Sequence, residues 1–224
     1  MQIAILCGIS LLLSVASWVY FSYVDIEEET FSSKKIGEVI FNDKKVIAYV
    51  AVMLIALCAM SVNLSYIYIN NTLIHNIKMI TLLSLLFVVA FTDFKKYIIP
   101  NKILLVGIAL RCTYYIVELV TKTNAFWDLL KNDLIACLIA FLFLIVGIFI
   151  VKNGLGMGDV KLILVMCLYQ GMYGIVSSMF CSLIVAFFLS LGLLIMRKKT
   201  RKDAMPFAPS ILIGTFISIF ITGM

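Results

Sequence analysis

The sequence predicts an all-α protein, a polytopic membrane helix bundle with about eight transmembrane helices. Of its 224 residues, 63% are hydrophobic and the mean hydropathy is +1.13. Charged residues make up only 13%, whereas soluble domains carry about 25%. Apolar runs of roughly 17–25 residues, the length of a membrane-spanning helix, recur along the chain without the alternation of a membrane β-barrel. These observations exclude an ordinary soluble domain.

Eight apolar runs are predicted as spans. In order, they cover residues 3–23, 46–69, 77–92, 103–120, 133–151, 160–171, 174–196 and 207–222. The first is interpreted as a retained helix rather than a secretory signal, because no positive segment precedes it and no small-residue cleavage site follows. The run from Val160 to Met196 is too long for one crossing, so a turn is predicted at Gln170-Gly-Met-Tyr-Gly174.

Basic residues indicate the topology. If the first end lies outside, segments 24–45, 93–102, 152–161 and 197–206 face the cytoplasm and hold 14 of the 18 Lys and Arg residues. By the positive-inside rule, we predict a multi-pass protein of the inner (cytoplasmic) membrane with both termini outside. Topology and anionic lipid then account for the net charge of +6 without a nucleic-acid partner. We predict one membrane-embedded domain over residues 1–224, whose longest loop is the segment 24–45.

Asp159 lies between a glycine-rich stretch and a long apolar run. Gly154, Gly156 and Gly158 allow positive φ and a close approach of another backbone. The apolar run that begins at Val160 predicts a helix with Asp159 near its N-cap. The carboxylate is therefore predicted at the mouth of a membrane helix, where an isolated Asp is as often a simple cap as a functional group.

Asp93 is the second acid of interest. It ends another apolar run, seven residues before Pro100-Asn101, a pair that must break or restart the helix. Taken alone, Asp93 would be a solvated loop charge. The predicted topology, however, places both Asp93 and Asp159 on the cytoplasmic side. The two acids therefore predict a paired-carboxylate site.

Two neighbouring carboxylates could hydrolyse a peptide bond. They do not ionise together readily, so one is protonated while the other is charged. The charged group would take a proton from the attacking water, and the neutral group would donate one to the peptide carbonyl. Gly156 and Gly158 would let an extended substrate backbone approach. Lys161 would tune the pair or hold the substrate, although it also fits a topogenic anchor.

Other polar residues exclude several kinds of site. The six cysteines stand singly in apolar runs and are predicted as buried apolar side chains. His75 is the sole histidine, so neither a histidine-based triad nor a His-ligated metal site is predicted, and we expect no metal or cofactor. Arg111, inside the fourth span, requires a partner or a water pocket. Glu118 is predicted to be interfacial.

Two other function classes remain open. A proton-coupled transporter or channel also uses intramembrane acids, but it would distribute them along a path across the bilayer. In this sequence they cluster at one face. A noncatalytic subunit of a membrane assembly would need neither acid. Replacing each Asp with Asn would separate these classes from a protease.

Both acidic motifs resemble those of a known family. Asp93 with Ile99-Pro100-Asn101, and Gly156-Met-Gly158-Asp159-Val-Lys161-Leu162, are similar to the two signature motifs of type IV prepilin peptidases, membrane aspartic proteases of the GxGD class. Pro206-Phe-Ala-Pro209 is similar to a third feature of the family. The resemblance covers roughly residues 76–222.

The resemblance implies an aspartic endopeptidase that cleaves the leader peptide of prepilins or pseudopilins, after a glycine, at the cytoplasmic face. Asp93 and Asp159 would be its catalytic pair. Pro100, Asn101, Gly156, Gly158 and Lys161 would bind substrate or shape the site. The resemblance leaves open which prepilin is cut and the oligomeric state.

Larger family members also N-methylate the new terminus, using a cytoplasmic domain with paired C-x-x-C zinc motifs between the first two spans. Here the corresponding segment, 24–45, is short and contains no cysteine. We therefore expect neither zinc nor N-methyltransferase activity. The chain is more similar to peptidase-only members that serve Tad-type or competence-type pili, or to archaeal preflagellin peptidases.

Overall fold

The computed structural model describes residues 2–28, 44–121, 123–150, 156–195 and 206–224. Within these ranges the chain forms seven α-helices and no strand, which confirms the all-α class. The helices are α1 (Gln2–Glu28), α2 (Lys44–Tyr66), α3 (Leu73–Lys96), α4 (Asn101–Thr121), α5 (Thr123–Ile150), α6 (Met157–Ile195) and α7 (Ala208–Thr222). Gly154, and residues 29–43 of the predicted loop 24–45, lie outside the described residues.

Six of these helices are long and apolar enough to cross a membrane, and α7 is a shorter apolar helix. The predicted count of eight is not confirmed, because the predicted sixth and seventh spans are joined in α6. Gly171 has φ 64 and ψ −167, and this non-helical backbone divides α6 into two helical arms that meet at a kink. A straight helix of 39 residues would be about 58 Å long, nearly twice the hydrocarbon core of a bilayer.

The chain divides into two compact units, Met1–Ser84 and Leu85–Met224, with the boundary inside α3. In the first unit, α1 packs against α2. The hydroxyl oxygens of Ser10 and Ser61 lie 3.0 Å apart, and each hydroxyl also donates to a carbonyl of its own helix. Small hydroxyl residues of this kind let membrane helices approach closely while satisfying their polar groups. The single domain over residues 1–224 stays a prediction.

In the second unit, α6 packs against both α4 and α7. A Cβ at Gly214 of α7 would overlap the Ser182 backbone of α6, so glycine is required for this approach. The Tyr169 hydroxyl of α6 donates to the Gly107 carbonyl oxygen of α4 at 2.7 Å. These contacts fix α6 and its neighbours, whose ends form the site described below.

Arg111 of α4 is only 1% exposed and has two acidic partners. Its Nη1 lies 3.0 Å from Glu118 Oε2, and its Nη2 lies 2.7 Å from Asp133 Oδ2. Nε donates to the Leu168 carbonyl oxygen at 2.6 Å, and the guanidinium lies 3.7 Å from the centroid of the Tyr115 ring. This ion pair holds the Glu118 carboxylate inside the protein, and its position at the membrane interface stays a prediction.

This ion-pair cluster adjoins the kink in α6. In a regular helix the Leu168 carbonyl would accept the N–H of residue 172, but Gly171 interrupts the helical backbone between them. Arg111 supplies a donor to that carbonyl. A Cβ on Gly171 would overlap the Asn132 amide and lie 3.1 Å from Asp133 Oδ1. The side chains of the cluster therefore pack against the kink, and Arg111 donates to a carbonyl oxygen beside it.

Candidate active site

Asp93 lies in the last turn of α3 and is 6% exposed. The helix ends just beyond it, where Tyr97 adopts a positive φ of 54° and donates its N–H to the Asp93 carbonyl oxygen at 2.9 Å. Left-handed residues commonly end helices in this way. Pro100 immediately precedes α4, and its fixed φ suits a helix start. The predicted break at Pro100-Asn101 is confirmed.

The Asp93 side chain contacts the start of α7. Its Oδ2 accepts the backbone N–H of Ala208 at 3.0 Å. Ala208 is the first residue of α7, and the preceding residue, Phe207, has no side-chain atom that could cap the helix. Asp93 supplies that acceptor from a different helix, and a carboxylate at a helix N-terminus is electrostatically favourable. The Pro206–Pro209 motif therefore lies beside Asp93, a contact that the sequence analysis missed.

Asp159 is the third residue of α6 and lies in its first turn, as predicted. Gly156 precedes the helix, accepts the Val160 N–H at 3.3 Å and turns its own N–H toward the Asp159 carboxylate. A Cβ on Gly156 would lie 3.1 Å from Asp159 Oδ2. The glycine thus leaves room for the carboxylate, a role that differs from the predicted contact with substrate.

Gly158 allows a second close approach. A Cβ at this position would lie 3.0 Å from the Ile99 Cβ, which is tighter than ordinary van der Waals contact. Ile99 is buried and belongs to the connection between α3 and α4. The absence of a side chain at Gly158 therefore lets this connection pack against the start of α6. Both glycines serve the packing of the protein itself, and contact of either glycine with a substrate stays a prediction.

Asp93 and Asp159 line one cavity of about 360 Å³ within the second unit. The two side chains are near enough to interact electrostatically. Besides the two aspartates, the predicted site residues that line this cavity are Asn101, Gly156, Gly158 and Lys161. Pro100 does not line it but precedes Asn101. The structure thus brings together residues that the sequence separates by about 60 positions.

Lys161 and Asn101 join the starts of two helices at this cavity. The Lys161 Nζ donates to Asn101 Oδ1 at 3.0 Å, which ties the fifth residue of α6 to the first residue of α4. No local spacing in the sequence signals this pair. Its geometry assigns Asn101 a definite contact, whereas the predicted roles of Lys161 toward the acids or the substrate stay predictions.

Three exposed apolar residues at the cavity were missed by the sequence analysis. Tyr97, Ile98 and Met157 all line it and present large apolar surfaces. Tyr97 could have been suspected, because tyrosine is enriched where a membrane helix meets the headgroups. The cavity therefore combines two carboxylates with an apolar rim, a combination suited to a polypeptide that has both polar and apolar parts.

Comparison with known proteins identifies related chains. Residues 80–196 match the type IV leader peptidase family, and this range contains both aspartates and both cavity glycines. A curated relative, described as a prepilin leader peptidase/N-methyltransferase of Bacillus subtilis (strain 168), is 26% identical over 139 residues. That alignment covers 62% of this chain and 53% of the relative, so the chain spans about half the relative's length. No solved structure shows significant similarity to the chain.

Proposed function

Because the chain belongs to the type IV leader peptidase family, we propose that it is an aspartic endopeptidase that removes the leader peptide of prepilins or pilin-like proteins. It cuts after a glycine, and Asp93 and Asp159 activate the attacking water. The observation that carries this proposal is the single cavity that both carboxylates line. Methyl transfer is not part of the proposal, because segment 24–45 contains no cysteine for a zinc-binding domain.

The proposed mechanism is general acid–base catalysis by the pair. One carboxylate takes a proton from water as the water attacks the scissile carbonyl, and the other donates a proton to the carbonyl oxygen. In the second step, the carboxyl group that was protonated by water donates its proton to the amide nitrogen, and the other carboxylate takes a proton from a hydroxyl of the tetrahedral intermediate. The C–N bond then breaks, which releases the leader as a carboxylic acid and the pilin with a free amino terminus. The Ala208 N–H orients the Asp93 carboxylate, and the space at Gly156 admits that of Asp159. Such preorganisation supports acid–base catalysis.

We place the reaction at the cytoplasmic face of the inner membrane. Asp93 and Asp159 lie beside Lys95, Lys96 and Lys161, and the positive-inside rule assigns such segments to the cytoplasm. The shared cavity supports a topology in which residues 93–101 and 156–161 emerge on the same side. In this topology the two arms of α6, before and after Gly171, act as separate crossings and both chain termini lie outside.

Cleavage of a prepilin from the same organism tests the proposal. We expect the purified enzyme in lipid nanodiscs to release the leader, and mass spectrometry to show a new N-terminus immediately after the leader glycine. A prepilin in which that glycine is replaced by a large residue serves as the control substrate and should be cut much more slowly. An intact prepilin in the presence of folded enzyme would contradict the proposal. Proton flux into proteoliposomes without cleavage would instead favour the transporter class.

Gly158→Ala is expected to reduce kcat/KM for prepilin cleavage by up to about tenfold. The contact requires a shift of a few tenths of an ångström, and a displacement of reacting groups by about 1 Å can cost two orders of magnitude. The new methyl group would meet Ile99 and push the connection after Asp93 away from α6. Gly156→Ala should have a comparable effect by displacing the Asp159 carboxylate. Steady-state kinetics with a fluorogenic leader peptide measures both variants.

Gly192→Ala is the matched control. It lies in the same helix, and among the described residues no atom comes within 4 Å of a Cβ built there. This variant should cleave at the wild-type rate. If Gly158→Ala cleaves as fast as Gly192→Ala, the close approach of Ile99 to α6 does not position the two acids.

A further inference from the structure

A second cavity, of about 560 Å³, lies along the membrane-spanning part of the second unit. Its walls are almost entirely apolar side chains from three helices, and its size is typical of a ligand-binding cavity. We call it the leucine groove. It is lined chiefly by Leu104, Leu105 and Ile108 of α4, Leu134 of α5, and Leu164 and Leu168 of α6.

The leucine groove begins where the aspartate cavity ends. Asn101 and Lys161 line both cavities, and the hydrogen bond between their side chains therefore stands at the boundary. From Asn101 to Ile108, and from Lys161 to Leu168, each helix advances about 10 Å. The groove thus extends by roughly two helical turns from the aspartates into the spanning part of the bundle.

We propose that the leucine groove binds the apolar segment of the substrate that follows the scissile bond. This inference rests on the proposed function, because it is the position of the two aspartates that defines the scissile bond. A substrate held at Asp93 and Asp159 must continue beyond the aspartate cavity in both directions. The groove is an apolar path that starts at that cavity, and residues Leu105 and Leu134 expose their side chains along it.

The bilayer restricts the form of the occupant. A polypeptide at membrane depth must satisfy its own backbone hydrogen bonds, so the bound segment is helical. Two turns of helix match the length of the groove. Because lipid tails are as apolar as leucine, affinity there comes from side-chain packing rather than from exclusion of water. A charged segment is excluded from the groove by the cost of placing charge among apolar side chains, so the segment that fits there is apolar.

The kinetic test compares Leu134→Trp with Leu138→Trp. Both residues lie on α5 and are similarly exposed, 54% and 61%, but Leu138 lies outside the groove. Each variant is assayed with a full-length prepilin and with a peptide that ends three residues after the cut. Leu134→Trp should raise the ratio of the KM for the long substrate to the KM for the short substrate about tenfold, because it disrupts side-chain packing along the groove. Leu138→Trp should leave that ratio at the wild-type value.

A photocrosslink gives an independent readout. The photoreactive residue p-benzoylphenylalanine is placed at Leu105 in an Asp159→Asn background, which is expected to bind substrate without cutting it. Irradiation should join it to the apolar segment of the prepilin, as located by mass spectrometry. The same residue placed at Val106, the neighbouring exposed position outside the groove, should give little product.

The outcomes separate the two proposals. If the wild type cuts neither substrate, the proposed function fails, and the crosslink alone decides what occupies the groove. If the wild type cuts both but Leu134→Trp leaves the KM ratio unchanged, the groove proposal fails while the peptidase stands. Crosslinks from Leu105 only to lipid, or to the leader, would also overturn it.

Discussion

Asp93→Asn and Asp159→Asn are each expected to lower the rate of prepilin cleavage by at least about 10³-fold. Proton transfer by one positioned side chain accelerates a reaction by roughly 10²- to 10⁴-fold. When two residues act as a unit, removing either one costs nearly the whole effect of the pair. Asparagine has nearly the same shape as aspartate but cannot exchange a proton. Loss of either group therefore stops both halves of the proposed mechanism. Single-turnover cleavage with enzyme in excess measures the chemical step directly.

Binding and folding should survive these substitutions. In Asp93→Asn, the amide oxygen of the introduced side chain can still accept the Ala208 N–H, which Asp93 accepts at 3.0 Å, so the start of α7 keeps its cap. Substrate binding by fluorescence anisotropy and thermal unfolding should therefore stay close to the wild type. Asp128→Asn is the matched control, because Asp128 is 83% exposed and its acceptor lies 3.8 Å from Lys131. Wild-type cleavage by either site variant would show that the catalytic assignment is wrong.

Arg111→Met is expected to lower the free energy of unfolding by about 3–5 kcal/mol, because it leaves buried acidic partners without their compensating charge. Both Glu118 and Asp133 are buried, and both lie within 3.0 Å of the guanidinium nitrogens. The Leu168 carbonyl oxygen beside the kink would also lose a donor. Reversible unfolding by SDS in mixed micelles measures the change.

Two further variants make this result interpretable. Lys131→Met removes an exposed pair, with side chains 70% and 83% exposed, and should change stability by less than about 1 kcal/mol. The triple variant Arg111→Met/Glu118→Gln/Asp133→Asn removes the charges together, and should recover much of the stability lost in Arg111→Met. Equal stability of Arg111→Met and the wild type would contradict the view that this buried cluster is an ion-pair network.

The sequence predicted the helices and the acid pair for physical reasons that are local. Each apolar run must match the thickness of a bilayer, and this length constraint identifies most spans. Pro100 starts α4 through its own covalent geometry, whereas α3 already ends at Lys96. Charge bias placed Asp93 and Asp159 on one side, and the cavity that both line agrees with that assignment.

The interior polar contacts could not be predicted in the same way. Helix α5 begins at Thr123, before the predicted start of its span at 133, and the charge of Asp133 is paired with Arg111 on another helix. The hydrophobic pattern of one segment gives no information about a partner such as Arg111, which lies on another helix. The spacing of Arg111 and Glu118, seven residues or two helical turns, was a usable signal for a shared face. Lys161 and Asn101 offered no such signal.

The kink at Gly171 shows a similar limit. The length of the apolar run correctly required an interruption near residues 170–174, and glycine was the natural place for it. How the two arms of α6 join there depends on how Gly171 packs. Its α-carbon faces Asn132 and Asp133 of α5 so closely that no side chain fits. That contact joins distant parts of the sequence, and only the folded chain reveals it.

The hydrogen bond between Asp93 and Ala208 links a proposed catalytic group to the start of α7. One oxygen of the proposed reactive pair also holds the first amide of α7, at 3.0 Å. Any change in the protonation of that carboxylate during turnover therefore changes the hydrogen bond that caps α7, a helix that carries no reacting group itself. For protein engineering, only a side chain that keeps a hydrogen-bond acceptor at this atom, such as asparagine, can replace Asp93 without also uncapping α7.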